Sequence, residues 1–73
     1  MAQEVVEAPI PGKIISVKVK AGDAISEDDT ICEIESMKME NPINAPVSGT
    51  VSKISVAEGD VVKTGQELAV IDY

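Results

Sequence analysis

Apolar positions in this chain come in short runs that alternate with polar ones. In V17-K-V19-K20 the two valines share one face of an extended segment and the lysines the other, and I54-S-V56 repeats the pattern. The large aliphatic residues are almost all valine and isoleucine, with Leu68 the sole leucine. Branching at Cβ favours the pleated conformation over the helix, and helical spacing is not sustained over any useful length. Between the runs lie A21-G-D23, E58-G-D60 and T64-G65. These are turn signals, because glycine reaches positive φ freely and aspartate can bond its own backbone. The pattern predicts a set of short strands joined by tight turns, with no helix of consequence.

Sliding the sequence along itself by 37 residues exposes an internal repeat: residues 8–35 lie over residues 45–72 without a gap. Ala8, Pro9, Gly12, Val19, Gly22, Asp23 and Ile34 meet identical residues at Ala45, Pro46, Gly49, Val56, Gly59, Asp60 and Ile71. Ile10 with Val47, Ile14 with Val51, Val17 with Ile54, Ile25 with Val62 and Ile31 with Leu68 are conservative matches. Asp28 over Gly65 is a departure, tolerable because aspartate enters the left-handed region more easily than most residues. Neither half can bury its apolar face alone, so the two are expected to pack face to face as one domain, residues 1–73, with approximate two-fold symmetry. The apolar order 14, 17, 19 recurs as 51, 54, 56 and breaks alternation at the same place in both halves. That shared break predicts a bulge or bend at a corner.

The segment left between the copies is S36-M-K-M-E-N-P-I-N44. If Ile34 and Ile43 are strand residues, the turn falls near Met37, Lys38 and Met39. A tight hairpin prefers Asn-Gly or Asp-Gly, since both central residues need positive φ. The chain uses such residues at its other turns and not here, which points to a functional constraint centred on Lys38.

Composition removes several alternatives. A chain of 73 residues makes one domain, and at this size only about 60% of the unfolded chain's surface is buried. One cysteine and no histidine leave no internal disulfide and no zinc-type cluster. Cys32, inside I31-C-E-I34, reads as a small buried side chain. Six basic against thirteen acidic residues give a net charge of −7, which opposes nucleic acid as a partner. No apolar run nears the roughly 20 residues of a membrane span, so no membrane insertion by this chain is expected. M1-A-Q-E-V5 lacks the basic start of a signal peptide. The expected location is cytoplasmic.

E35-S-M-K-M39, preceded by A8-P-I-P-G12 and A21-G-D23 and followed by A45-P-V-S-G49, E58-G-D60 and K63-T-G65, resembles the biotinyl domain of biotin-dependent carboxylases and decarboxylases. The resemblance runs from about Pro9 to Ile71. It implies an all-β flattened barrel or sandwich of two four-stranded antiparallel sheets, with the modified lysine on a tight hairpin. It also implies that a biotin protein ligase acylates Lys38, and that the domain serves as a carboxyl carrier between biotin carboxylase and carboxyltransferase or decarboxylase partners. The carrier has no catalytic group of its own, and its cofactor is covalent biotin on Lys38. Many family members carry a protruding thumb inserted in the first half; the gapless repeat predicts that it is absent here. Whether the chain is a free-standing carrier subunit or an excised domain stays open.

The chemistry asks for a solvent-exposed, unpaired amine on a rigid support. Met37 and Met39 either fill gaps in a small core as adaptable thioethers or flank the lysine as recognition residues. Glu35 and Glu40 read as solvated carboxylates. Two other functions fit the same fold. A lipoyl carrier of a 2-oxoacid dehydrogenase would place its lysine at the same turn, usually after aspartate and without the methionine pair, and an unmodified structural module would have no need of a lysine there.

Overall fold

The computed structural model describes residues 2–73. Eight strands follow one another: β1 (Gln3–Glu7), β2 (Gly12–Val17), β3 (Ala24–Ile25), β4 (Thr30–Ser36), β5 (Met39–Asn44), β6 (Gly49–Ile54), β7 (Val61–Val62) and β8 (Glu67–Asp72). They form two four-stranded antiparallel sheets with orders β1-β8-β6-β3 and β5-β4-β2-β7. This is the all-β architecture expected. Among the described residues no helix is long and apolar enough to cross a membrane.

The strand orders exchange under a shift of four strands, β1 for β5, β2 for β6, β3 for β7 and β4 for β8, which is the pseudo-two-fold relation. The halves do not stack as separate layers, however. Each sheet draws strands from both: β3 leaves the first half to pair with β6, and β7 leaves the second to pair with β2. Exchanging these two-residue arms covers edges that separate halves would leave open.

Matched positions of the two copies meet in one core. Ile14 and Val51, Ile31 and Leu68, and Ile34 and Ile71 are all buried to 1% exposure or less, with Ile25, Val62, Ala8, Ala45, Cys32 and Ala69 around them. The β2–β4 ladder slips between Ile14 and Ser16, and the β6–β8 ladder between Val51 and Lys53. The extra residues, Ile15 and Ser52, occupy the same place in each half, as the broken alternation predicts; the Ser52 hydroxyl donates to the Val70 carbonyl at 3.2 Å. The alternation in V17-K-V19-K20 outlasts the strand, which ends at Val17. Lys18 N–H still donates to the Ile31 carbonyl at 2.8 Å, and then the chain leaves for its next turn, with Val19 still against the core.

Four tight turns share one design. In Lys20–Asp23, Ser26–Asp29, Ala57–Asp60 and Lys63–Gln66 the last N–H donates to the first carbonyl, at 3.0–3.1 Å. In each, the last side chain accepts from the first N–H, at 2.8–3.1 Å. The third residue is left-handed: Gly22, Asp28, Gly59 and Gly65 have φ of 98°, 75°, 96° and 86°. Asp28 does adopt the conformation of its counterpart Gly65.

Candidate functional site

The remaining turn joins β4 to β5. Glu35 pairs with Glu40 and Ser36 with Met39, which leaves only Met37 and Lys38 to reverse the chain. Their φ values are 53° and 66°. A two-residue loop with both residues left-handed is the primed hairpin turn that matches strand twist, and Asn-Gly is its usual occupant. Placing side chains with a Cβ there costs about 1–2 kcal/mol per residue. The cost is borne by a strong ladder and by Asn41, whose side-chain amide donates to the Ile34 carbonyl at 3.4 Å and the Met39 carbonyl at 3.2 Å. Pro42 is tolerated in β5 because β5 is a sheet edge.

Lys38 is exposed at the apex. Ion pairs among the described residues join Lys18 to Glu33 at 3.8 Å and Lys53 to Glu67 at 3.3 Å, and neither involves Lys38. Met37 is 92% exposed and Met39 67%, so a gap-filling role in the core is excluded. Glu35 and Glu40, both exposed, face each other across the ladder behind the turn. The sequence reading of the turn therefore brings Met37, Lys38 and Met39 together at one projecting tip.

β1 carries the chain from its termini to Gly12, which lies level with Ser36; β5 carries it from Met39 to Gly49, level with Tyr73. The tip and the termini thus sit at opposite ends of a body 36 Å long and 17–18 Å across. Ala2 and Tyr73 exchange backbone hydrogen bonds of 2.8 and 2.9 Å, at the position that mirrors the Ser36–Met39 pair.

A covalent acyl group on Lys38 fits this geometry. The amine projects from a braced turn with solvent around it, and among the described residues no carboxylate forms an ion pair with it. Cys32, the sole thiol, is 1% exposed, and burial, with the Glu33 charge adding, pushes it up to about 11. A groove of about 320 Å³ that sequence reasoning did not find lies on the pseudo-two-fold axis between the edges β1 and β5. It is lined by symmetry-matched residues, among them Val6 with Ile43 and Pro9 with Pro46, and by none of the tip residues.

Comparison with known proteins agrees with this geometry. The chain is 47% identical over 71 residues to the Biotinylated protein TB7.3 homolog of Mycobacterium leprae, covering 97% of this chain and 99% of that one. It is 44% identical over 70 residues to the Biotin carboxyl carrier protein of Streptococcus mutans serotype c, covering 96% of this chain and 54% of the relative; it spans about half that protein's length. The fold superposes on the crystal structure of Kluyveromyces lactis urea carboxylase with a TM-score of 0.91 at 32% identity, over 99% of this chain and 6% of that one. Residues 4–71 match the biotin/lipoyl family model described as "Biotin-requiring enzyme", and the chain belongs to that family.

Proposed function

We propose that this chain is a biotin carboxyl carrier, a single domain spanning residues 1–73 and acylated on Lys38. The observation that carries the reading is the position of Lys38: exposed, free of ion pairs among the described residues, and second of two left-handed residues at a braced hairpin tip. The names of the relatives support the same assignment.

Acylation forms an amide between Lys38 Nζ and the carbonyl carbon of biotin's valerate side chain. The amine gives up its proton and the activating group departs from the carboxyl. A biotin protein ligase is the partner for that step. Lys38 then loses its positive charge and becomes the root of a long arm. When attached, biotin supplies a ureido nitrogen that accepts carboxylate at one active site and yields it at another.

The domain itself holds the arm's root clear of the body, on a two-residue turn braced by the Asn41 side chain. Tethering raises the local concentration of the arm at each site it can reach. The partners are the biotin carboxylase and carboxyltransferase or decarboxylase units of a biotin-dependent enzyme, in the cytoplasm. Met37 and Met39 flank the lysine as exposed apolar contacts for the surfaces the tip enters. In this reading the domain carries the arm and the carboxylation chemistry belongs to its partners.

The test is the intact mass of the folded protein after incubation with a biotin protein ligase, ATP and biotin, beside Lys38→Arg. One added biotin on the wild type and none on the variant is the expected result. Label on the Lys38→Arg protein would overturn the site. A folded wild type that gains nothing from this ligase but is modified by a lipoyl ligase would overturn the cofactor.

A further inference from the structure

Sulfur is unevenly placed in this chain. It resides in Cys32 and three methionines, and two of those, Met37 and Met39, stand on either side of Lys38. Met1 lies outside the described residues. The repeated segments 8–35 and 45–72 contain no methionine, and the core is built of valine, isoleucine, leucine and alanine around Cys32. Met37 and Met39 take no part in that core and are both exposed.

Access and chemistry divide these sulfurs. A thiol reacts with peroxides as its thiolate, and Cys32 is buried, with its thiol pushed up to about 11 by that burial and by the Glu33 charge. A thioether attacks a peroxide oxygen with a sulfur lone pair and has no proton to lose, so access alone limits it. A peroxide that would elsewhere find a thiolate first therefore meets the two thioethers beside Lys38.

Oxidation at the tip changes polarity without changing the fold. One added oxygen turns a flexible apolar side chain into a polar, chiral sulfoxide. In a core that disrupts packing; Met37 and Met39 have no core packing to lose, and the turn is closed by the ladder and by Asn41. A ligase surface that accepts an apolar tip, by contrast, would have to strip water from two sulfoxide oxygens.

We propose that Met37 and Met39 are a reversible oxidation site whose sulfoxides slow acylation of Lys38 by the biotin protein ligase while the domain stays folded. This rests on Lys38 being the acylated residue. The oxidant is a hydroperoxide: its O–O bond breaks, an S–O bond forms, the sulfur loses two electrons, and the peroxide leaves as water or an alcohol. Methionine sulfoxide reductases reverse the step, two thiols closing to a disulfide as the oxygen leaves in water.

The experiment treats the folded domain with hydrogen peroxide, removes the excess with catalase and locates added oxygen by peptide mass. Wild type and a Met37→Leu, Met39→Leu double variant then receive ligase, ATP and biotin at domain concentrations below saturation. Each protein is read as the ratio of its treated to its untreated initial rate, so a change in basal rate does not enter. In the wild type, oxygen should appear on Met37 and Met39 and not on Cys32. Its melting temperature should stay within about 3 °C, and its rate should fall about 10-fold. The two sulfoxide reductases together should restore the rate, since each acts on one epimer. The double variant should keep a ratio near unity, and the reductase arm decides alone if that variant is too slow to read.

Four outcomes would each overturn the switch and leave the Lys38 assignment standing. They are unoxidised Met37 and Met39 under conditions that convert free methionine, full rate with both sulfoxides in place, a loss that the reductases do not reverse, and an equal loss in the double variant. An untreated, folded wild type that takes up no biotin would remove the Lys38 assignment, and this proposal with it.

Discussion

Gly12 lies flat against the backbone of Glu35. A Cβ on Gly12 would press on the Glu35 carbonyl oxygen and stand 2.5 Å from Ile34 Cγ2. Gly49 meets Asp72 and Ile71 in the same way. Gly22 differs: a Cβ there meets nothing within 4 Å, and only its φ of 98° is unfavourable. Gly12→Ala should therefore cost about 2–3 kcal/mol as overpacking against backbone, and Gly22→Ala about 1 kcal/mol as backbone strain. Urea unfolding of both variants checks the order. A Gly12→Ala protein as stable as Gly22→Ala would show that the close approach is soft.

The tip is suboptimal as a turn. Replacing Met37 with Asn and Lys38 with Gly installs the residues that a primed turn prefers. The double substitution should raise stability by about 1–2 kcal/mol and abolish biotin incorporation. Met37→Asn alone should give a smaller gain and keep the amine. Equilibrium unfolding beside mass-detected labelling reads both effects; a double variant less stable than wild type would mean that the left-handed residues carry no strain.

Cys32 makes stability fall in alkali. Its folded-state thiol is raised to about 11 by burial and by Glu33, so the unfolded chain ionises first. The stabilisation from keeping the thiol neutral is complete below about pH 9 and is lost as pH climbs toward 11, by at most about 2–3 kcal/mol. Cys32→Ala should flatten that part of the profile while lowering stability at neutral pH. Thiol reagents should label the wild type only on unfolding. Rapid labelling of the native protein at pH 8 would contradict the burial.

Asp60 closes its turn twice, by its own N–H to the Ala57 carbonyl and by Oδ2 accepting the Ala57 N–H at 2.8 Å. Asp60→Ala should cost about 1 kcal/mol, and Asp60→Asn, which keeps an acceptor, much less. Thermal denaturation of the pair distinguishes a lost hydrogen bond from a lost charge, since the latter would penalise both equally.

The sequence by itself determined the elements of this domain and the place where they depart from routine. Ile14, Ile31 and Ile34 match Val51, Leu68 and Ile71 because each half needs the same apolar face. Gly22, Gly59, Gly65 and Asp28 sit where left-handed backbone is required, and those demands are local, so they are written in residue type. The shared break at 14, 17, 19 and 51, 54, 56 encoded the bulges at Ile15 and Ser52 for the same reason. The unusual turn at Met37 and Lys38 was legible because its residues violate a local rule that the other turns obey. Only the tertiary structure decided how the halves join, since pairing β3 with β6 and β7 with β2 depends on long-range ladders that leave no periodic trace in two-residue strands. It also decided that Met37 and Met39 face solvent, which a thioether's equal fitness for core and surface conceals. Finally, it brought the Ala57–Asp60 turn of the second half against Ile14 of the first, at the tip end of the body, because β7 pairs with β2.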